Sequence, residues 1–263
     1  MKIHVYLLCF NEEKILPFIL DYYTGFCSRV FVLDNESTDA SVEICKNYNS
    51  VTVIEWGSNN SFDDISNLEM KVNTYKDYSR VGGKYTTEVA DWVICADMDE
   101  VIYHPALIDL LKKYKRDGVT VPNIRGFNMV CNHWPSAGFN ITESIRTGVR
   151  QPNFDKRAVF VPDFDIQYSP GCHPKGDAFK RMEESPNYKT SDSKEIALLH
   201  YKYLGDNFVR SAMKSKARLS KRNLNCGFGS QYLKDELELI KINKAMQESA
   251  IQVIDDNGNI TVK

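Results

Sequence analysis

Several features that would place the chain in a special class are missing from its 263 residues. No apolar run reaches the length of about 18 residues that a transmembrane helix needs. No transmembrane segment is therefore expected, and only peripheral association with a membrane is left open. The net charge of −2 gives no basis for binding nucleic acid through bulk charge. Internal repeats and low-complexity segments are also missing, so neither a repeat protein nor a disordered chain is expected.

Cysteine is present, but not in a pairing pattern. The seven cysteines are scattered, their number is odd, and no two of them form a Cys-x-x-Cys pair. This pattern is typical of reduced, mostly buried thiols and predicts a cytoplasmic protein. The apolar N-terminal stretch contains His4 and continues into Asn11-Glu12-Glu13-Lys14 without a small-residue cleavage site. We therefore interpret it as a first strand and not as a signal peptide.

Strand and helix patterns alternate between residues 4 and 96. Short β-rich apolar segments predict strands, and apolar residues at helical spacing predict helices between them. The alternation predicts an α/β fold with a mainly parallel sheet and helices on both faces. The predicted strands are 4–10, 29–33, 51–56 and 92–96, and the predicted helices are 12–26, 40–48 and 65–90, the last broken near Gly82-Gly83.

The second half of the chain is less regular. Residues 131–195 are rich in Pro, Gly, Asn and Asp, which predicts a region dominated by loops. We expect a single domain, 1–263, with a regular half 1–104 and an irregular half 105–263. The other segments predicted here are helices at 105–115, 207–222 and 233–249, strands at 119–130 and 197–203, and a turn at 255–259 that closes a terminal hairpin.

Polar side chains follow three of the predicted strands at the point where each strand ends. These segments are Phe10-Asn11-Glu12, Asp34-Asn35 and Asp97-Met98-Asp99-Glu100. Open parallel sheets bind their ligands at the carboxyl ends of strands. We therefore expect the three segments to face one crevice.

The Asp97-Met98-Asp99 segment suggests a metal site. Two carboxylates on one side of an extended chain suit a hard cation such as Mg²⁺ or Mn²⁺, which completes its shell with phosphate oxygens and water. As a bare pattern Asp-x-Asp is weak, because acidic residues also end strands for solubility. Its place directly after the strand 92–96 and three β/α units favours the metal interpretation.

Four blocks of the sequence carry a resemblance to a known family: Leu8–Glu13, Val32–Asp39, Asp91–Glu100 and Leu199–Tyr203. In this order they resemble segments of the GT-A-type glycosyltransferases, in particular the family-2-like group related to family 92. The first resembles that group's opening Asn-Glu segment, and the second resembles its Asp-x-x-Ser-x-Asp signature. The third resembles its Asp-Trp…Asp-x-Asp-Glu segment, and the fourth resembles its His-Tyr segment.

This resemblance implies a nucleotide-diphosphate sugar donor and a saccharide or glycoconjugate acceptor. It also favours inversion of the configuration at the anomeric carbon over retention. It implies a nucleotide-binding half 1–104 and an acceptor-side half 105–263. Asp99 would ligate Mn²⁺ or Mg²⁺, Asp97 would contact the ribose and share the cation, and His200 would bind the cation or the diphosphate. The donor-binding set is Phe10, Asn11, Glu12, Asp34, Asn35, Asp97, Met98 and Lys202, and the metal set is Asp99, His200 and Asp97.

The residues themselves also favour a role for His200. A neutral imidazole is a usable metal ligand, and His200 ends a predicted strand that could return to the crevice. A histidine packed at a strand end is the ordinary alternative. The basic segment that follows is mostly a solvated helix surface, from which one or two side chains reach the diphosphate. Gly227-Phe228-Gly229 is either a closing loop or an ordinary connection between helices. The basic residues are Lys214, Lys216, Arg218, Lys221 and Arg222.

The catalytic base stays open at the level of sequence. An inverting transferase needs a carboxylate or a histidine to accept the acceptor's proton. His173 is favoured, because the family often has a histidine before its His-Tyr block, with Asp163 and Asp165 next. Glu143 and Asp177 are further candidates. The pattern is less specific for four other side chains. Lys84 and Arg80 either point toward the donor or lie on an exposed helix face. Trp134 and Phe139 either stack on an acceptor sugar or pack in the core.

Three other functions are alternatives to a glycosyltransferase. A phosphatase of the HAD type also uses Asp-x-Asp, but usually on its first strand. A nucleotidyltransferase would carry a glycine-rich phosphate loop after the first strand, where this chain has Asn11-Glu12-Glu13-Lys14. A non-catalytic nucleotide-sugar or glycan binding module is disfavoured by the intact Asp97, Asp99 and His200.

Overall fold

The computed structural model describes residues 1–136, 138–169, 173 and 175–261. Within them the strands form two five-stranded sheets, which we call sheet one and sheet two. The strands are β1 Ile3–Cys9, β2 Arg29–Asp34, β3 Val51–Glu55, β4 Trp92–Asp97, β5 Glu100–Tyr103, β6 Ile124–Cys131, β7 Thr147–Arg150, β8 Val159–Phe160, β9 Ile196–Leu204 and β10 Ile251–Gln252. The helices are α1 Leu16–Thr24, α2 Ser41–Cys45, α3 Asp64–Ser79, α4 Leu107–Arg116, α5 Ile141–Ser144, α6 Gly176–Glu183, α7 Asn207–Arg218, α8 Lys221–Asn225 and α9 Glu236–Glu248.

Sheet one has the strand order β3-β2-β1-β4-β8. Its first four strands are parallel, and only β8 runs antiparallel, against β4. Successive side chains of β1 point to opposite faces. Leu7 packs in one core with Leu16 of α1, whereas Tyr6 packs in another with Tyr75 of α3. The predicted α/β class, with a mainly parallel sheet covered on both faces, is confirmed here.

Sheet two has the order β10-β7-β6-β9-β5 and is mixed. The long strands β6 and β9 are parallel, and β5 and β7 run antiparallel to them. No separate sequence pattern predicts β5, which has only four residues and follows β4 after a two-residue turn at Met98-Asp99. Those two residues therefore join sheet one to sheet two.

Several predicted boundaries were too wide. The helix predicted at 40–48 is only α2, and the one predicted at 65–90 ends at Ser79, before Gly82-Gly83. The helix predicted at 207–222 divides into α7 and α8, because the Ser220 side chain accepts a hydrogen bond from the Asn223 amide and begins a new helix there. The predicted loop region 131–195 contains α5, β7, β8 and α6. The predicted turn near the C-terminus is confirmed by the pairing of Ile254 with Ile260.

Two further observations concern cysteines and membrane helices. Six cysteines are free in the described residues, and Cys172 lies outside them. In the same part of the chain, none of the helices combines the length and apolar character that crossing a bilayer would need.

Candidate active site

A cavity of about 550 Å³ lies where the carboxyl ends of the strands of sheet one meet sheet two and α7. The segment Asp97-Met98-Asp99, which joins the two sheets, forms part of its wall. Residues from both halves of the chain line it, including Phe10, Glu12, Asn35, Lys71, Asp97, Met98, Asp99, Phe154, Lys156, His173, His200, Lys202, Lys214 and Arg218.

Strand pairing brings Asp99 and His200 together. Antiparallel pairing of β5 with β9 places Glu100 opposite His200, and the Tyr201 amide donates to the Asp99 carbonyl at 2.7 Å. The His200 Nε2 then lies 3.2 Å from the Asp99 Oδ2. Both side chains are largely buried, with 6% and 18% of their surface exposed. Burial alone would raise the pKa of Asp99, but His200 and Lys202 bring it below its usual value.

The other ring nitrogen of His200 shows which side of the ring is free for a ligand. Nδ1 lies 2.9 Å from the Asn128 side-chain oxygen, and an amide oxygen only accepts hydrogen bonds, so Nδ1 carries the proton. In the neutral ring Nε2 then has a lone pair, directed at a carboxylate. Two such acceptors repel each other unless a proton or a cation lies between them. A histidine held through its second nitrogen is the usual arrangement around protein-bound metals.

The separation of these two atoms fits a shared cation. Adjacent ligands of an octahedral ion with bonds of about 2.1 Å lie about 3.0 Å apart, close to the observed 3.2 Å. In the described ranges no cluster of three or more His, Cys, Asp or Glu side chains is placed to hold a metal. Asp99 and His200 therefore form a pair that could share a cation, and Asp97 is not grouped with them.

Asp97 has a different environment. Its carboxylate oxygens accept from Lys71 at 2.6 Å and from Lys156 at 3.4 Å. Lys156 also donates to Glu100 at 2.6 Å, and the Asp97 amide donates to the same Glu100 carboxylate. Both lysine side chains are only 2% exposed. Burial alone would raise the pKa of Asp97, but the two ammonium groups hold it well below its usual value.

Helix α7 closes the cavity against the end of β1. Lys214 donates to the Glu12 carboxylate at 2.7 Å and to the Phe10 carbonyl at 2.8 Å. The Arg218 guanidinium lies over the Phe10 ring, 3.3 Å from its centroid, and donates to the Asn35 side-chain oxygen at 2.7 Å. Burial of Glu12 raises its pKa to about 7 against the lowering effect of Lys214. Phe10, Glu12 and Asn35, predicted to bind the donor, thus share one wall with two cations of α7.

Asn11 and Asp34 are not among the residues that line the cavity. The Asn11 side-chain oxygen accepts from the Thr38 amide at 2.7 Å, and one Asp34 oxygen accepts from the Ser37 amide at 3.1 Å. These contacts shape the loop between β2 and α2, and the predicted contact of both residues with the donor stays a prediction.

Lys202 lies on the cavity wall near Asp99. Its ammonium group sits 5.9 Å from the Phe208 ring centroid and 5.8 Å from that of Tyr232. Burial would lower the pKa of Lys202, but the charges of Tyr232 and Asp99 keep it above its usual value. Lys202 therefore presents a positive charge to this part of the cavity. The Gly227-Phe228-Gly229 loop lines the cavity as well, whereas Lys216, Lys221 and Arg222 do not.

His173 is held on the opposite wall. Its Nδ1 lies 2.8 Å from the Asn153 carbonyl oxygen, so Nδ1 carries the proton and Nε2 is the acceptor in the neutral ring. Burial lowers the pKa of His173, which favours that neutral ring. The Phe154 ring contacts both histidines, with centroids 6.0 Å from His173 and 4.4 Å from His200. A side chain at Gly126 would overlap Phe154, so glycine is required for this close approach.

Asp163 and Asp165 lie elsewhere. They line a separate depression with Arg181, and Asp165 pairs with Arg80 at 2.6 Å. A general base must reach the reacting hydroxyl, and the structure does not bring either aspartate to the cavity that Asp99 and His200 line. The other candidates that the structure leaves outside the cavity wall are Glu143, Asp177, Lys84, Arg80, Trp134 and Phe139.

Sequence reasoning missed Lys71, Lys156, Asn128 and Phe154. Lys71 lies in a polar helix, where a lysine usually faces solvent, and Lys156 and Phe154 lie in a segment predicted to be loop. The only usable signal concerned Asn128, a polar residue within the apolar strand β6.

Comparison with family models gives a match over more than half of the chain. A family model described as Glycosyl transferase family 2 matches residues 5–168. No curated protein matches the sequence significantly.

Solved structures that are similar to this chain have low sequence identity. S. aureus TarS 1–349 is 15% identical with a TM-score of 0.49, and the match covers 83% of this chain and 65% of that one. Glucosyl-3-phosphoglycerate synthase from Mycobacterium tuberculosis, in complex with Mn²⁺, uridine diphosphate and glucosyl-3-phosphoglycerate, is 18% identical with a TM-score of 0.30 over 48% of this chain and 44% of that one. The chain thus spans less than two-thirds of these proteins.

Proposed function

The chain belongs to glycosyl transferase family 2 and has the GT-A type of α/β fold, and we propose from this that it transfers a sugar from a nucleotide-diphosphate donor to a saccharide or glycoconjugate acceptor with the help of Mn²⁺ or Mg²⁺. The same proposal includes a closer relation to family 92. It also includes a single domain with a donor half 1–104 and an acceptor half 105–263. The proposed location is the cytoplasm, with peripheral membrane contact left open.

The observation that carries the proposal is the facing pair of Asp99 and His200. Their facing atoms are 3.2 Å apart in a cavity at the carboxyl ends of the parallel strands of sheet one. A divalent cation bound by these two residues would neutralise the diphosphate leaving group. Asn128 fixes the ring so that Nε2, and not Nδ1, is available to the cation.

The donor wall is formed by Phe10, Glu12, Asn35 and Met98. We assign the nucleoside to this wall and the diphosphate to Lys202, whose charged group lies on the wall near Asp99. Asp97, which lines the same cavity, is assigned to the ribose.

His173 is assigned as the general base. Its Nε2 is the free acceptor of a neutral ring on the cavity wall, as an inverting transfer requires. The acceptor hydroxyl would lose its proton to Nε2 while its oxygen bonds to the anomeric carbon and the bond from that carbon to the diphosphate breaks.

The alternatives have less support. A HAD-type phosphatase and a nucleotidyltransferase belong to other families than the one that matches residues 5–168. A non-catalytic binding module of the matched family is distinguished by turnover.

The test is a panel of nucleotide sugars incubated with Mn²⁺, with release of nucleoside diphosphate as the readout. We expect turnover with one donor, and Asp99→Asn should lower it by at least about 100-fold, because even partners of metal ligands are worth about 10- to 100-fold. The matched control is Asp109→Asn, since Asp109 is 78% exposed and forms an ion pair with Lys112 in its own helix turn.

Three results would contradict the proposal. If Asp99→Asn kept full metal-dependent activity, the assignment of Asp99 as a ligand of the cation would be wrong. Tight donor binding without turnover would indicate a binding module. Release of phosphate from simple phosphomonoesters would indicate a phosphatase.

A further inference from the structure

The two carboxylates of Asp97-Met98-Asp99 do not share partners. Asp99 faces His200, whereas both oxygens of Asp97 are in contact with ammonium groups. One comes from Lys71 in α3 and the other from Lys156, just before β8. The three-residue pattern thus contains one carboxylate that faces a metal ligand and one that is already neutralised by cations.

The lysines hold Asp97 firmly. Lys71 and Lys156 are each 2% exposed, so their positive charges have lost most of their contact with water and depend on carboxylate partners. Lys156 is held in turn by Glu100, which is completely buried and lies 2.6 Å from its ammonium group. The network therefore fixes Lys156 from the side of sheet two and Lys71 from the side of α3.

This arrangement disfavours a divalent cation at Asp97. A cation bound by that carboxylate would lie within a few ångströms of two ammonium groups, and their repulsion is only partly screened because both lysine side chains are shielded from water. Asp97 is nevertheless near the metal pair, because the charges of Asp99 and His200 both act on it electrostatically.

We propose that Lys71 and Lys156 are positioning residues that keep Asp97 out of the cation's coordination, so that Asp99 and His200 hold the cation weakly alone and tightly only together with a nucleoside diphosphate. The second half of this statement rests on the proposed function, since it requires a diphosphate in the cavity. The first half concerns this chain's own residues and stands without a donor.

The test measures Mn²⁺ binding itself, by electron paramagnetic resonance or calorimetry, with and without uridine or guanosine diphosphate. For the unaltered protein we expect weak binding of Mn²⁺ alone, and an affinity at least about tenfold higher with one of the nucleotides. Lys71→Met keeps the length of the side chain and removes its charge. It should raise the affinity for Mn²⁺ alone by about tenfold, since it releases a third carboxylate ligand.

Two further variants make the result specific. Lys76→Met removes a lysine from the same helix that pairs with Asp165 at 3.2 Å, and it should leave Mn²⁺ binding unchanged. Lys156→Met combined with Glu100→Gln removes the second ammonium group without leaving Glu100 as an unpaired buried charge. It should raise the Mn²⁺ affinity as Lys71→Met does, and it replaces that variant if Lys71→Met does not fold. Damage to the fold lowers metal affinity, so a gain in affinity separates positioning from structural support.

The outcomes separate this inference from the proposed function. Unchanged or weaker binding of Mn²⁺ alone in a folded Lys71→Met and in the double variant would overturn the role of the lysines. Tight binding of Mn²⁺ alone by the unaltered protein would overturn the dependence on a diphosphate. A gain in the lysine variants with no effect of any nucleotide would support the lysine role and count against the proposed function.

Discussion

The two sheets contribute to the cavity in different ways. Sheet one is built from strands that follow each other along the chain with a helix between them, and it brings Asp97 to the cavity at the end of β4. Sheet two brings together residues far apart in sequence: Asp99 and His200 are separated by 101 positions, and Asn128 and His200 by 72. The position of Asp97 therefore depends on regular β/α units, and the pairing of Asp99 with His200 depends on long-range strand pairing. Changes in sheet two should impair the chemistry more than they impair the fold.

The largest effect is expected at His173, which lies outside both sheets and which we propose as the general base. His173→Asn should lower kcat by about 10²- to 10⁴-fold, the usual contribution of acid–base catalysis. The measurement is steady-state transfer over a range of pH, in which the acidic limb set by the base should disappear. His133→Asn is the matched control, because His133 is exposed and outside the cavity wall. Retention of the acidic limb by His173→Asn would show that another group accepts the proton.

A smaller effect is expected at the residue that orients His200. Asn128→Leu removes the acceptor of the Nδ1 proton, and the loss of such a partner lowers metal affinity or activity by about 10- to 100-fold. Asn128→Asp keeps an acceptor at the same position and should lose less. The measurement is the Mn²⁺ concentration that gives half-maximal transfer. Equal values for the two variants would mean that the orientation of the ring does not depend on this hydrogen bond.

The smallest effect concerns sheet one and the stability of the fold alone. Partial burial would raise the pKa of Glu88, but hydrogen bonds from Lys2, His4 and Ser28 lower it to about 2, below its ordinary value of 4.5. Because the pKa is lower in the folded state, the stabilisation is fully present above about pH 4.5 and is lost as the pH falls towards 2. Glu88→Gln should lower the free energy of unfolding by on the order of 1 kcal/mol at neutral pH, after allowance for solvent screening.

The measurement for Glu88 is urea unfolding at several pH values. The difference between Glu88→Gln and the unaltered protein should shrink on acidification, and transfer activity at neutral pH should not change. The exposed pair of Glu43 and Lys46 provides the control, since Glu43→Gln should cost almost nothing. A difference that stays constant with pH would mean that the charge of Glu88 is not what stabilises this end of sheet one.

The four parallel strands of sheet one were predicted from the sequence for a physical reason. They are continuous apolar runs, so each has a local signal, whereas β8 has two residues and lies in the segment predicted to be loop. β5 and β7 have four residues each, and their strand character comes from pairing with β9 and β6. A short segment that becomes a strand only through a distant partner has no local pattern to recognise.

The same distinction explains the site. Asp97, Asp99 and His200 end apolar runs and were therefore visible in the sequence. The buried positions of Lys71 and Lys156 depend on how α3 and the segment before β8 pack against β4, which no local pattern records. The position of Asp163 and Asp165 in a separate depression depends in the same way on the path of their loop, which no local pattern records.

Gly126 shows how a residue without functional groups limits what can be changed in the protein. Phe154 rests on this glycine and touches His173 and His200 with its ring. A methyl group at position 126 would overlap Phe154 and force it out of its place against the two histidines. A protein engineer who wishes to enlarge this part of the cavity would therefore trim Phe154 itself and leave position 126 untouched.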